Sequence, residues 1–231
     1  MERVVKPELL DELPPQDPQA LRSRRDIRWL NVLMGHPGLM TRFLKQCPDG
    51  RSGRRLVELG AGDGHFLLSV ARRLRKHWRK ADATLVDRLD VVDPQVREGF
   101  DLVRWRLRVE VTEAVAWLRQ APPESTGVVC CNLLLHQLPE ESLAELFRLA
   151  ARTAPVFIAL EPRRSWWPHF CARFLPLAGC GPVTCHDGLV SMRAGFANRE
   201  LSALWPEAGR WELTERSAGL FSHLFVARRK G

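Results

Sequence analysis

The chain has 231 residues, of which 45% are hydrophobic and 27% are charged, as in an ordinary soluble globular domain. This composition excludes a coiled coil, a collagen-like repeat and wholesale disorder. Basic residues outnumber acidic ones by 35 to 27, which gives a formal net charge of +8 and would by itself suggest nucleic-acid binding. The basic residues are spread through the chain and often stand beside Glu or Asp, so nucleic acid is not the expected partner.

The sequence contains no recognisable membrane or export segment. No apolar run is long enough to cross a bilayer, and residues 1–19 lack the apolar core of a signal peptide. Six cysteines are too few for a disulfide scaffold, and Cys130-Cys131 stands in an apolar run typical of a buried strand. We therefore expect a cytoplasmic protein with reduced thiols and no stable membrane insertion.

Residues 1–50 are predicted to form an N-terminal helical cap segment. Residues 21–34 and 38–47 have helical spacing, and Gly35-His36-Pro37 interrupts it. Residues 51–231 are predicted to form one domain with a lid insertion at about 163–197.

Strands and helices alternate after the cap segment. The predicted strands cover 54–60, 83–88, 103–111, 126–135 and 154–162, and the helices between them cover 65–78, 94–103, 114–120 and 139–153. Continuous apolar strands separated by helices favour an α/β fold with a doubly wound parallel sheet. Residues 198–206 are predicted to form a short helix capped by Asn198, and 210–230 an antiparallel hairpin that completes the sheet.

The turn after the first strand has the composition of a ligand-binding loop. Gly60, Gly62 and Gly64 permit positive φ and close approach of the backbone to a ligand, and the helix that begins near His65 presents free N–H groups. The spacing does not match the dinucleotide fingerprint G-x-G-x-x-G. Glu58 would also repel a pyrophosphate.

An acid before these glycines suits a ligand that carries an ammonium and a carboxylate. Glu58 would face the ammonium, while the turn and the helix N-terminus would face the carboxylate. Asp87 ends the next strand, where a carboxylate can accept both hydroxyls of a ribose. The methionine half and the ribose of S-adenosylmethionine fit both positions.

Three segments carry a family resemblance: VELGAGDGHF, LVDR and VVCCNLLLHQLPEESLAELFRLAARTAPVFIALEP. Over about residues 55–165 the chain resembles the class I S-adenosylmethionine-dependent methyltransferases, in particular bacterial small-molecule methylases of the quinone and polyketide type. The resemblance implies a Rossmann-like methyltransferase sheet, S-adenosylmethionine as cofactor and no metal. It also implies a cofactor site made of Glu58, Gly60, Ala61, Gly62, Gly64, Asp87, Arg88, Thr112 or Glu113, and Asn132 beside the sulfonium.

Two histidines are candidates for a catalytic base. A phenol, with a pKa of about 10, is a poor nucleophile until a base removes its proton, and histidine suits that task near neutral pH. His136 follows the fourth strand, where the acceptor would lie, and is the first candidate. His186 stands beside Asp187, which could orient it on the lid, and is the second.

The lid region is rich in aromatic residues. Trp166, Trp167 and Phe170, together with Trp29, Met34 and Met40 of the cap segment, are predicted to form an apolar cover over a planar acceptor. Ordinary core packing and a membrane-facing patch are alternatives. Glu161 and Arg163 are candidates for contacting an acidic acceptor, or Arg163 and Arg164 lie in a solvated turn.

The leading hypothesis is methyl transfer to a small aromatic or polyketide-like acceptor, at a hydroxyl oxygen with a histidine base. Asn132-Leu133-Leu134 disfavours amino-group methylation, which uses a polar-Pro-Pro-aromatic turn at this place. The alternative is an RNA or protein methyltransferase that uses the basic surface, and a nicotinamide enzyme or an inactive nucleoside binder is a third possibility. Zinc binding by Cys171, Cys180, Cys185 and His186 is disfavoured by their spacing.

Overall fold

A computed structural model describes residues 2–47 and 54–230. Its centre is one sheet in the order β3-β2-β1-β4-β5-β7-β6. The strands are β1 Arg55–Leu59, β2 Asp82–Asp87, β3 Arg106–Val111, β4 Val128–Asn132, β5 Val156–Pro162, β6 Trp211–Ala218 and β7 Ser222–Arg229. The first five are parallel, and β7 runs antiparallel to β5 and β6. The predicted doubly wound sheet with a C-terminal antiparallel hairpin is confirmed.

Helices cover both faces of this sheet. They are α1 Leu9–Glu12, α2 Pro18–Leu33, α3 His36–Leu44, α4 His65–Leu74, α5 Pro94–Leu102, α6 Ala114–Gln120, α7 Glu140–Thr153, α8 Trp166–Ala172, α9 Pro182–Ala194 and α10 Glu200–Leu204. Helices α3, α4 and α5 contribute to the core on one face, while α7 and α10 contribute to the core on the other. Parallel strands with both faces covered are the reason for the continuous apolar runs in the sequence.

Residues of the central strands alternate between these two cores. Leu56 and Cys130 pack in one core, while Val57 and Cys131 pack in the other. Both cysteines are fully buried, which confirms the buried strand predicted for them. Met40 is also fully buried in the core with α4, so its predicted place in a cover over the acceptor is wrong.

Several element ends differ from the prediction. The helix predicted to cover residues 65–78 ends at Leu74. The last helix begins after Arg199 and not after Asn198, which takes a positive φ of 52°. The N–H groups of Leu201 and Ser202 in the first turn donate to the carboxylate of Glu215 at 3.0 and 2.7 Å, which supplies the cap that Asn198 was expected to give.

The N-terminal helices and the lid pack against each other at the carboxyl ends of the parallel strands. Asp187 of α9 accepts hydrogen bonds from the N–H groups of Leu9 and Leu10, at 2.8 and 3.0 Å. The Arg3 guanidinium donates to the carbonyl of Ala194 and to that of Leu138 after β4. These bonds close one side of a cavity over the sheet.

The predicted boundary between residues 50 and 51 lies outside the described residues, and the division into cap segment and domain stays a prediction. Within the described part of the chain, no helix is both long and apolar enough to cross a bilayer. The cytoplasmic location stays a prediction.

Candidate functional site

A cavity of about 600 Å³ lies between the carboxyl ends of β1, β2 and β4 and the helices above them. In this sheet β1 lies between β2 and β4, so the order of the strands changes direction between β1 and β4. Open α/β sheets bind their ligands at such a point. The sheet side is lined by Glu58, Gly60, Ala61, Gly62, Asp63, Asp87, Arg88, Leu89, Glu113 and Asn132. The helical side is lined by Arg24, Ile27, Leu30, Asn31, Met34, Phe174, Leu175, Thr184, Asp187, Ser191 and Met192.

The glycine turn has three residues in the left-handed region. The φ angles of Gly60, Gly62 and Gly64 are 67°, 53° and 80°. A Cβ on Gly60 would lie 2.7 Å from Leu134 Cδ1, and one on Gly64 would lie 2.8 Å from Leu85 Cδ1, whereas a Cβ on Gly62 would meet no atom within 4 Å. Gly60 and Gly62 line the cavity, while Gly64 is not among the lining residues and serves as the N-cap of α4.

Asp87 holds this turn in place. One carboxylate oxygen accepts a hydrogen bond from the Gly62 N–H at 2.7 Å, and the other accepts one from the Leu89 N–H at 3.0 Å. Each carboxylate oxygen has a second lone pair, and Asp87 lines the cavity. It can therefore hold the turn and still accept ligand hydroxyls. Its neighbour Arg88 pairs with Asp11 of α1 at 2.7 Å.

Glu58 is a buried carboxylate with an unsatisfied oxygen. Its residue is 1% exposed, and its Oε2 has no hydrogen-bond partner among the described residues. Burial raises the pKa of Glu58 well above its ordinary value, and the charges of Asp63 and Asp87 act in the same direction. A buried acceptor without a partner is costly. The ammonium of an amino-acid ligand would supply the missing donor, so this site fits the methionine half of S-adenosylmethionine.

Asn132 is held in a buried polar chain. Its Nδ2–H donates to Oδ1 of Asn31 at 2.9 Å, and its Oδ1 lies 2.6 Å from Nδ1 of His36. His36 Nε2 lies 2.6 Å from the Ser222 hydroxyl. Burial lowers the pKa of His36 to about 4, so the neutral ring donates through Nδ1 and accepts through Nε2.

Asn31 and His36 were not among the predicted site residues. Asn31 stands alone as a polar residue in the apolar run from Trp29 to Met34, and this interruption was the available signal. His36 stood in the predicted helix break, where nothing in the sequence pointed to β4.

Of the two residues proposed for the end of the third strand, Glu113 is the one at the cavity. Glu113 is among the lining residues, whereas Thr112 is not. The Thr112 N–H donates to the Asp87 carbonyl at 2.8 Å, as a continuation of the sheet.

His136 lies between two carboxylates. Its Nδ1 is 2.8 Å from Oε2 of Glu161, and its Nε2 is 3.1 Å from Oε1 of Glu8. Hydrogen bonds and charge from these two acids outweigh burial and raise the pKa of His136 to about 9. The ring is therefore protonated at neutral pH, with both nitrogens engaged. A base needs a free lone pair, so this geometry argues against the predicted role of His136.

The other candidates from the lid and the fifth strand lie away from the cavity. His186 is half exposed, bonds to Asp187 at 2.9 Å and is not among the lining residues. Glu161 is fully buried and accepts hydrogen bonds from the N–H groups of Leu134 and Leu135, so it supports the turn after β4. Arg164 is buried and pairs with Glu200, which corrects the solvated-turn interpretation.

Helix α2 is tied to the glycine turn by charge. The Arg28 guanidinium bonds to Asp63 at 2.6 Å and to Asp93 at 3.3 Å. His65 also lies 3.2 Å from Asp93. This cluster was not predicted.

Across residues 2–47 and 54–230, no group of three or more His, Cys, Asp or Glu side chains has metal-binding geometry.

No protein-family model matches the chain, and no curated protein matches it in sequence. Its fold is nevertheless found in solved structures. An O-methyltransferase family protein from Burkholderia thailandensis aligns with a TM-score of 0.55 and 16% identity, over 87% of this chain and 58% of that chain. For N,N-8-amino-8-demethyl-D-riboflavin dimethyltransferase from Streptomyces davawensis the TM-score is 0.61 and the identity 14%, over 97% and 62% of the two chains.

A third structure, magnesium protoporphyrin IX methyltransferase from Synechocystis PCC 6803 with bound SAM, gives a TM-score of 0.54 and 12% identity, over 85% of this chain and 79% of that chain. The present chain spans only about three fifths of the length of the first two proteins. At these identities the similarity concerns the fold. The chain has the fold of the methyltransferases, as its motifs predicted.

Proposed function

We propose that the protein is an S-adenosylmethionine-dependent methyltransferase that acts on a hydroxyl oxygen of a small aromatic or polyketide-like acceptor. The observation that carries the proposal is the Glu58 carboxylate, which is buried and keeps an unpartnered oxygen next to the glycine turn. Asp87 stands one strand away, at the same edge of the sheet. A ligand with an ammonium and a ribose satisfies both acids.

In this proposal, residues at the carboxyl ends of β1, β2 and β3 bind different parts of the cofactor. Glu58 accepts hydrogen bonds from the ammonium, and Gly60 and Gly62 allow the backbone to approach the carboxylate. Asp87 accepts the ribose hydroxyls, and we assign Glu113 to the contact with the adenine amine. When bound, S-adenosylmethionine supplies an electrophilic methyl group on a sulfonium.

The helical side of the cavity is assigned to the acceptor. Ile27, Leu30, Met34 and Met192 give it an apolar lining, which favours a small lipophilic molecule over a polar macromolecule. The amides of Asn31 and Asn132 are the polar groups next to it, and we assign them to orienting the acceptor. Positioning and exclusion of water supply the acceleration in this scheme.

The proposal assigns no histidine base, because both ring nitrogens of His136 are engaged and His186 lies outside the lining. The acceptor hydroxyl must therefore lose its proton to water before the methyl group is transferred, so the proposal is for an acidic hydroxyl that binds as its anion. His136 supports the turn between β4 and α7 as an imidazolium. Methylation of RNA or protein receives no support from the three similar structures.

Calorimetric titration with S-adenosylhomocysteine tests the proposal, with NADH as the comparison ligand. We expect micromolar binding of the thioether and its loss in Asp87→Ala. Asp82→Ala is the matched control, because Asp82 stands at the other end of β2, is about half exposed and pairs only with Arg106 at 3.8 Å among the described residues. No binding, equal binding by Asp87→Ala, or tighter binding of NADH would refute the proposal.

A further inference from the structure

The lid carries a row of exposed aromatic rings. Trp166, Trp167, Phe170 and Phe174 are 70%, 42%, 44% and 47% exposed. Successive ring centroids lie 5.4, 6.1 and 5.2 Å apart, so the rings form one continuous strip. Leu177, which is 85% exposed, extends it in the short helix Leu175–Ala178. So much exposed aromatic surface in one place is unusual for a free protein surface.

This strip adjoins the mouth of the cavity. Phe174 belongs to the strip and lines the cavity. Trp29 and Leu33 of α2 also line the cavity, and they are 47% and 63% exposed. The apolar lining of the cavity therefore continues outwards onto the surface, where the lid strip and these two residues of α2 form what we call the apolar rim.

The segment that carries the rim is strongly basic. From Arg163 to Arg199 the sequence contains five arginines, of which Arg164 is buried and paired with Glu200. The single acid in this range, Asp187, is buried and bonds to the N–H groups that begin α1. Arg173 and Arg193 are exposed. Burial lowers the pKa of His169, and the charges of these two nearby arginines lower it further. On the side of α2, the exposed Arg22 donates to the Gly179 carbonyl.

Asp26 of α2 contacts this end of the lid and is already bonded within the protein. Its carboxylate accepts hydrogen bonds from the Gly181 N–H at 2.7 Å and from the Thr184 hydroxyl at 2.8 Å. Its charge is therefore directed at the lid backbone. The face around the rim combines exposed aromatic rings with exposed arginines.

We propose that the apolar rim docks the protein onto the surface of a bilayer that contains anionic phospholipids. Tryptophan and phenylalanine favour the boundary between headgroups and acyl chains, and arginines beside them are attracted to anionic headgroups. A second copy of the chain is disfavoured as occupant, because two basic faces would repel each other. Docking in this orientation opens the cavity towards the bilayer. The inference goes beyond the proposed function, and its test needs no cofactor.

Cosedimentation of the full chain with lipid vesicles tests this proposal. We expect the protein to pellet with vesicles of equal parts phosphatidylcholine and phosphatidylglycerol, and to remain in solution with phosphatidylcholine alone. High salt should release it, since the attraction to headgroups is screened. Tryptophan emission should shift to the blue on binding, and Trp166→Phe should reduce that shift.

Two pairs of variants separate the rim from the rest of the surface. Leu177→Ser should weaken the partition coefficient roughly tenfold, while Leu102→Ser, at a leucine of α5 that is 82% exposed, should not change it. Arg173→Glu should weaken it at least tenfold, while Arg97→Glu, an exposed arginine of α5, should have little effect. All four positions are exposed, so their thermal unfolding should match that of the wild type.

Several results would overturn the proposal. Absence of pelleting, equal pelleting with neutral and anionic vesicles, or equal effects of the rim and control variants would each do so. A dimer in size-exclusion chromatography that Leu177→Ser dissociates would assign the rim to a second copy. Binding of single-stranded RNA that Leu177→Ser abolishes while vesicle binding is absent would assign it to RNA.

Discussion

The imidazole of His136 and the carboxylate of Glu161 form a buried pair, with 2.8 Å between Nδ1 and Oε2. Both side chains are almost completely inaccessible to water. On its other side the ring meets Glu8, from the segment that precedes α1. The pair therefore connects the turn after β4 to the N-terminal residues that close the cavity. Its charge state controls stability, and its partners leave it no free nitrogen for catalysis.

The stability of the protein should fall as the pH rises through the titration of His136. The folded protein holds this proton with a pKa of about 9, against an ordinary value of 6.5. The stabilisation is complete below pH 6.5 and is lost as the pH rises towards 9, to a total of about 3 kcal/mol. Urea unfolding between pH 6.5 and 9.5 measures this loss.

His136→Gln supplies the comparison. It leaves Glu8 and Glu161 buried without a cation, so we expect a loss of roughly 3 to 5 kcal/mol at pH 7. Burial also raises the thiol pKa values of Cys130 and Cys131, which lowers stability at high pH in both proteins. The difference between wild type and variant isolates His136. If the difference in unfolding free energy between the wild type and His136→Gln does not narrow as the pH rises, the pair of His136 and Glu161 is not charged as described.

His36 should lower the stability of the protein as the pH falls, which is the opposite of the effect of His136. Burial lowers its pKa to about 4 in the folded protein, so between pH 4 and 6.5 only the unfolded chain takes up this proton. Its contribution to the free energy of unfolding, of up to about 3 kcal/mol, is therefore present above pH 6.5 and is lost as the pH falls towards 4. Urea unfolding of His36→Gln should show a weaker dependence on pH in this range. His77→Gln, at an exposed histidine, should keep the wild-type dependence.

The site was predictable where it depends on the ends of single strands. Glu58, the glycine turn and Asp87 follow directly from the strand-helix alternation, because parallel strands bring their carboxyl ends to one edge. The surroundings of His136 and Asn132 were not predictable in this way. Glu8 lies 128 residues from His136, and Asn31 lies 101 residues from Asn132. Whether a histidine is charged depends on such distant partners, and so the role assigned to His136 from its position alone does not fit the structure.

The ends of the helices and strands were also predictable only in part. The doubly wound sheet with its C-terminal hairpin needed only the pattern of apolar runs, and this fold was predicted correctly. The start of β3 was not, because Arg104 takes a positive φ of 61° after α5 and delays the strand to Arg106. Local backbone choices of this kind are set by packing, which the apolar pattern does not report.

Gly60 and Gly62 should differ in their tolerance of alanine. Both have positive φ, which costs an alanine about 1 to 2 kcal/mol. In Gly60→Ala the new methyl group would also meet Leu134 at 2.7 Å, whereas in Gly62→Ala it would meet nothing within 4 Å. We therefore expect urea unfolding to show the larger loss for Gly60→Ala. Gly62→Ala should keep most of its stability and bind S-adenosylhomocysteine more weakly, since its methyl group occupies the cavity. Equal stability losses would contradict this geometry.

Glu58→Gln should separate ligand binding from stability. The buried carboxylate of Glu58 has an unpartnered oxygen and lies near Asp63 and Asp87, whose charges raise its pKa. Replacing this carboxyl group by a neutral amide should leave the stability of the free protein unchanged or raise it. A charge-assisted hydrogen bond contributes about 1.5 to 3 kcal/mol, so the affinity for S-adenosylhomocysteine should fall roughly 10- to 100-fold.

The same variant tests how Glu58 responds to the ligand. An ammonium beside the carboxylate favours its charged form and lowers the raised pKa, so binding at mildly acidic pH should release a proton from the wild type. Glu58→Gln has no such proton to release. Titration calorimetry in two buffers with different heats of ionisation measures the number of protons released. Binding by Glu58→Gln with wild-type affinity and the same proton release would show that the ligand ammonium does not meet Glu58, and the carboxylate would then lose its place in the cofactor site.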